Sequence, residues 1–242
     1  MNKRVLSLTL LLACLGLMTM QAEGRKVESF NSGWSFKKAP AEKELAINAP
    51  KWDKGWSEVE IPHTWNAKDM QVQANSFYEG AAYYKKQYFF PAELKDKRVF
   101  LRFEGVGSCA EVFVNGMLAT SHKGGYSAFA CEISPLLKAG EENEIIVKAD
   151  NKSRPDVIPV NHNLFGVYGG IYRPVWLVVT EPYNISVTDC ASPGVYVTQK
   201  NVSKKQADVK VKVKLDNGTL QPVPVTLQNT IYDQEGKQVA TH

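Results

Sequence analysis

Four stretches concentrate the side chains able to recognise a polar ring. They are Phe30-Asn31-Ser32-Gly33-Trp34, Ile61-Pro62-His63-Thr64-Trp65-Asn66, Phe77-Tyr78-Glu79-Gly80-Ala81-Ala82-Tyr83-Tyr84 and Gly124-Gly125-Tyr126. Sugars offer apolar C–H faces that stack on aromatic rings, and hydroxyls that pair with Asn, Asp, Glu and Arg, so this mixture suits carbohydrate. The competing reading places Trp34 and Trp65 in a core, each indole N–H bonded to a neighbour, and for a tryptophan taken singly it is the commoner one.

Patterns for other chemistries are missing. The sequence has no Ser in a G-x-S-x-G elbow, no H-E-x-x-H or other metal-ligand spacing, and no Gly-rich loop leading into a helix to cradle phosphate. The four histidines, His63, His122, His162 and His242, are scattered. Hydrolysis of a glycoside with retention needs two carboxyl groups about 5 Å apart, one protonated and one ionised. Glu141, Glu142 and Glu144 fall in or beside a polar turn, and nothing marks Glu79 or Glu104 as half of a pair. No catalytic residue, metal site or cofactor is therefore expected within this stretch.

The elements that must position the aromatic clusters are strands. Val99 to Phe103 alternates, Ala110 to Val114 continues in β-branched and aromatic residues, and Asn115-Gly116 is a dipeptide that favours a type I′ hairpin turn into Met117 to His122. Residues 138 to 143 read as a polar turn before a strand from Glu144 to Ala149, and Val175 to Val179 is an apolar run of strand length. Ser134-Pro135-Leu136-Leu137-Lys138 allows a single helical turn. Beyond Glu181-Pro182 the texture becomes simpler. Val209 to Leu215 alternates strictly between apolar residues and lysines, and Val223 to Leu227 and Thr230 to Tyr232 alternate again. Many short strands, Gly- and Pro-rich turns and no amphipathic helix predict an all-β chain, packed sheet on sheet. We read residues 25–181 as a jelly-roll sandwich and residues 182–242 as a partial immunoglobulin-like sandwich. The second sandwich would be cut before its sheets close, which suggests part of a longer protein.

Composition agrees with a packed core: 242 residues, 44% hydrophobic and 22% charged. The formal charge of +4 falls to +2 without Lys3 and Arg4, so there is no footprint for nucleic acid. Those two residues open a segment, residues 1–24, whose short apolar stretch and small residues Ala22 and Gly24 read as a secretory signal peptide. The expected location is periplasmic or secreted. Leu11-Leu12-Ala13-Cys14 loosely resembles a lipoprotein box, but apolar residues run past Cys14 and favour ordinary cleavage over an anchor. Cys109, Cys131 and Cys190, odd in number and widely spaced, read as free thiols buried in a β core.

The stretch from Asn163 to Leu177, N-L-F-G-V-Y-G-G-I-Y-R-P-V-W-L, reads as a corner. Gly169 and Gly170 would supply a positive φ or a close approach, Arg173 a planar bidentate contact, and Pro174 the start of a strand.

As a set and in order, F-N-S-G-W, I-P-H-T-W-N, Y-Y-K-K-Q-Y-F-F-P, F-E-G-V-G-S-C-A-E-V-F-V-N-G, G-G-Y-S-A-F and Y-G-G-I-Y-R-P-V-W-L resemble the N-terminal half of glycoside hydrolase family 2, the family of β-galactosidases, β-glucuronidases and β-mannosidases. The resemblance runs from about residue 28 to 181. It implies that a catalytic TIM barrel follows, that the jelly-roll loops reach the barrel mouth, and that a β-linked oligosaccharide or glycan is the ligand. It aligns Asn151 with a position that contacts substrate in some members. Where the family often has an acidic residue, this sequence has Leu164, so His162 and Asn163 become the neutral groups that could take its place. The implied partner is the protein's own downstream catalytic domain, with oligomerisation open. A free-standing carbohydrate-binding module is the alternative, and the reading frame beyond His242 discriminates between them.

Overall fold

The structure, a computed structural model, describes residues 24–39, 54–69, 77–160, 166–203 and 205–242. The predicted signal segment lies almost wholly outside these residues. Ten strands build the first unit. They are β1 (Lys26–Ser29), β2 (Trp34–Lys38), β3 (Ser57–Val59), β4 (Ala81–Phe90), β5 (Arg98–Phe103), β6 (Cys109–Val114), β7 (Met117–Lys123), β8 (Phe129–Glu132), β9 (Glu141–Asp150) and β10 (Val175–Thr180). All pair antiparallel, in a six-stranded sheet of order β3-β2-β4-β9-β6-β7 and a four-stranded sheet of order β1-β10-β5-β8. This is the expected jelly-roll sandwich.

Alternation decides which side chains face the other sheet. From the larger sheet Ala82, Tyr84, Val112, Val114, Ile145 and Val147 enter the core, and Val99, Leu101, Phe103, Val175 and Leu177 meet them from the smaller one. Trp34 and Trp65 are core residues too, with indole N–H groups donating to the carbonyls of Phe30 at 2.7 Å and Tyr78 at 3.4 Å. The turn at Asn115-Gly116 has φ of 51° and 78°, both positive as a type I′ hairpin requires. The helical turn is a 3-10 turn over Ser134–Leu136 with Pro135 near its start.

Several sequence expectations shift. The polar turn at 138 to 143 is shorter than expected, because β9 starts at Glu141 and pairs it with Phe90. Beyond Glu181 the strands form two-stranded pairs, β11 (Tyr183–Ile185) with β14 (Leu215–Asn217), β12 (Val195–Lys200) with β13 (Asp208–Val213), and β15 (Thr230–Tyr232) with β16 (Gln238–Thr241). The uniform run from Val209 to Leu215 is therefore split. At Lys214 the chain leaves one ladder for another: its N–H donates to the Gly194 carbonyl, and its own carbonyl accepts from Ser186 N–H. Val223 to Leu227 carries alternation but forms no strand. Of the three thiols only Cys131 is buried, and burial pushes its pKa up to about 12; Cys109 is half-buried and Cys190 is exposed.

Three arginines of the first unit reach across to the strand pairs beyond it. Arg98 grips Glu132 with Nε and Nη2, at 3.1 and 2.6 Å, and donates Nη1 to Asn184 Oδ1 at 2.9 Å. Arg25 donates to the Ile185 carbonyl, and Arg102 Nε to the Ala191 carbonyl at 2.9 Å.

Candidate functional site

Strand directions bring four connections to one end of the sandwich. Ala81, the first residue of β4, faces Asp150, the last of β9, while Cys109, the first of β6, faces Lys123, the last of β7. The segments before β4, between β5 and β6, after β7, and after β9 therefore meet there. Three of the aromatic clusters singled out in the sequence lie in these segments or at the start of β4.

Two buried amides organise this end. Asn151 has no exposed surface; its Oδ1 accepts Gly80 N–H at 2.9 Å, and its Nδ2 donates to the carbonyls of Val167 at 2.7 Å and Tyr78 at 3.2 Å and to Asn66 Oδ1 at 3.3 Å. Asn66, also fully buried, donates to Asp69 Oδ2 at 2.7 Å and to the Tyr78 carbonyl at 3.0 Å. Its Oδ1 accepts Gly169 N–H at 2.8 Å. A buried amide group must be paired, and this pair satisfies main-chain groups from separate segments at once. The segment after β9 is thus held at two points, Gly169 by Asn66 of the connection before β4 and Val167 by Asn151, which is itself bonded to that connection.

The corner at Gly169-Gly170 fits both meanings that sequence allowed, one for each glycine. A side chain on Gly169 would begin 1.9 Å from the Trp65 ring, and Gly170 sits at φ +120° with the His63 carbonyl and Tyr84 hydroxyl against it. Gly170 also bridges to Gly107, whose N–H reaches its carbonyl at 3.0 Å. His63 Nδ1 lies 2.8 Å from the Tyr84 hydroxyl, and burial lowers the imidazole's affinity for a proton. Arg173 corrects the sequence reading. It is exposed, stands over the Tyr172 ring at 5.6 Å and makes no bidentate ion pair among the described residues. The corner is pinned by glycine backbone and buried amides rather than by the guanidinium.

Of the three residues predicted to contact a ligand, Asn151 is the one the structure describes. His162 and Asn163 lie outside the described residues. Both ends of the Asn151 amide are engaged by protein groups, so its visible role is to hold the neighbouring loop. Sequence reasoning assigned Asn66 no separate role. The one signal available was Asn66 with Asp69 three residues on, a spacing that closes a local side-chain turn.

Beside this network lies a groove of about 250 Å³, lined among others by Gly107, Gly125, Tyr126, Gly166, Tyr168 and Tyr172, with no charged residue among the described residues of its walls. Aromatic rings, hydroxyls and glycine backbone are the surface that stacks a sugar ring and reads its hydroxyls. Among the described residues no cluster of His, Cys, Asp or Glu could hold a metal ion.

The chain resembles known proteins in both sequence and structure. Residues 27–182 match the family model for the sugar binding domain of glycosyl hydrolases family 2. A β-glucuronidase of Bacteroides fragilis is 45% identical over 159 residues, which is 66% of this chain and 23% of that protein. The solved structure of a Bacteroides fragilis protein proposed to be a β-galactosidase superposes with a TM-score of 0.86 at 72% identity, over 90% of this chain and 32% of the other. The crystal structure of a Bacteroides uniformis β-glucuronidase gives a TM-score of 0.78 at 27% identity, over 90% and 25%. The chain therefore spans between about a quarter and a third of the length of these relatives.

Proposed function

Because the chain belongs to glycoside hydrolase family 2, we propose that it is the non-catalytic, sugar-contacting N-terminal part of an exported β-glycosidase, whose retaining chemistry is carried by a barrel encoded downstream. The observation that supports this most directly is the pairing of the family match over residues 27–182 with the loop end organised by Asn66 and Asn151. In this reading the two amides pre-order the loop after β9, so that little conformational freedom is lost when a saccharide is gripped. In the same reading His162 and Asn163 offer the substrate neutral hydrogen-bonding groups, and the carboxylate pair comes from the barrel. The 72% identity to a protein proposed to be a β-galactosidase makes β-galactosides the first substrates to examine, and β-glucuronides the second.

The test is turnover of a panel of nitrophenyl β-glycosides by the 242-residue chain and by the chain extended through its downstream reading frame. Turnover by the extended form alone supports the reading and names the sugar. Turnover by the short chain would place the catalytic pair within it, against the proposal. A stop codon after His242 with saccharide binding by the short chain would point instead to a free-standing binding module.

A further inference from the structure

Two large side chains of the groove are exposed without being loose. Tyr126 is 64% and Tyr168 46% accessible. Tyr126 rides on the turn after β7, and four contacts fix that turn. The Tyr172 hydroxyl donates to the Gly125 carbonyl; His122 Nε2 lies 3.1 Å from both the Gly124 carbonyl and the Ser127 hydroxyl; and the Ser127 hydroxyl donates to the Gly124 carbonyl at 3.3 Å. The His122 ring is itself stacked on Phe129, 4.3 Å between centroids and 16° from parallel, so the turn is tied to the core. Tyr168 is fixed differently. It meets Phe77 edge to face at 6.0 Å, and it lies between the two residues, Val167 and Gly169, that the buried amides hold.

A surface tyrosine on a rigid support exposes apolar area without gaining burial, which folding alone does not favour. Two of them lining one groove together with Tyr172 form a pre-ordered stacking surface that loses little entropy on binding. Neither Tyr126 nor Tyr168 hydroxyl has a hydrogen-bond partner among the described residues, so both remain able to donate to and accept from a ligand. None of the described residues lining the groove is charged; of the cations at this end, Lys123 and Arg154 are engaged by Asp156, and the Arg173 guanidinium is held over the Tyr172 ring at 5.6 Å. We infer that Tyr126 and Tyr168 are the two stacking faces of a subsite for an uncharged pyranose unit, such as a neutral sugar of a β-linked glycan, and that this subsite does not select uronates. The inference rests on the sugar-contacting reading above and adds to it the residues and the charge class of one bound unit.

The test uses the chain with lactose and, in parallel, sodium glucuronate as probes. Binding is followed by calorimetry, and mild tyrosine nitration is read by mass spectrometry. Lactose is expected to bind and to shield Tyr126 and Tyr168 from nitration, while glucuronate at equal concentration leaves both reactive. Tyr126→Ala and Tyr168→Ala each weaken lactose binding about tenfold, and the Phe variants retain it, because the ring face does the stacking. Unchanged melting temperatures, expected for exposed positions, separate loss of the platform from loss of the fold. Lactose binding that ignores both Ala substitutions would overturn the subsite while leaving the sugar-contacting role intact. Equal shielding by glucuronate would overturn the charge selectivity. Absence of lactose binding, together with β-glycoside turnover by the extended protein, would overturn the subsite alone; absence of both would overturn the functional reading as well.

Discussion

Asn151 is one residue deciding the position of four others. Its bonds join segments that are separate in sequence, and its side chain is closed to solvent. Asn151→Ala leaves the buried Val167 carbonyl and the half-buried Gly80 N–H without partners, at about 1–3 kcal/mol for a fully buried group. The urea midpoint should fall correspondingly, by a total of about 2 kcal/mol, with Val167 and Gly169 the first amides to exchange faster. Retention of wild-type stability would mean that the amide network contributes nothing to the loop. This role was hidden from sequence reading for a physical reason: three of the four partners are main-chain groups, which carry no residue signature. The tryptophan alternatives were easier to weigh, since a large ring amid apolar neighbours is far more often core than contact.

At the level of elements, patterns with a local cause were legible and those with a distant cause were not. Asn115-Gly116 announces its turn because both residues tolerate positive φ, and the β6–β7 hairpin follows from that dipeptide alone. Gly116→Ala, forced to hold φ near +78°, should lower stability by about 1 kcal/mol in thermal denaturation without altering the pairing of β6 with β9. A larger loss would indicate that the turn also fixes the neighbouring register. By contrast, the lysine alternation from Val209 to Leu215 promised one strand, yet the carbonyl of Gly194 draws Lys214 out of the ladder. Period-two patterning states which face is wet; it does not state how far the partner strand extends. Arg173 misled in a similar way, because its residue type suggested a fork-shaped contact while the structure sets it over the ring of Tyr172.

For the molecule as a whole, the joint between the first sandwich and the strand pairs beyond it leans on a small group of arginines. Arg98 links Glu132 of β8 to Asn184 of β11 and lies 5.0 Å from the Phe100 ring. Arg98→Met keeps the aliphatic stem and removes those bonds. It should weaken protection of β11 and β14 by about 2 kcal/mol in hydrogen exchange, with β5 and β10 unaffected. Uniform loss of protection across the first sandwich would show instead that Arg98 serves the core. The jelly-roll assignment was legible as a sum of turn chemistry and strand periodicity, whereas the joint was not, since an arginine at a strand end signals a partner without naming it.

Arg25 and Arg102 are received at that joint by the carbonyls of Ile185 and Ala191, so two of its three arginines are read through backbone that every residue type shares. A side chain on Gly218 would begin 2.9 Å from the Arg98 stem, and Ala191 is buried at φ 50°, so of these positions Ile185 alone can change its side chain without disturbing the arginine it receives. The first sandwich thus supplies the donors that set the orientation of the strand pairs, and the receiving side answers chiefly with carbonyls whose position is fixed by its backbone path.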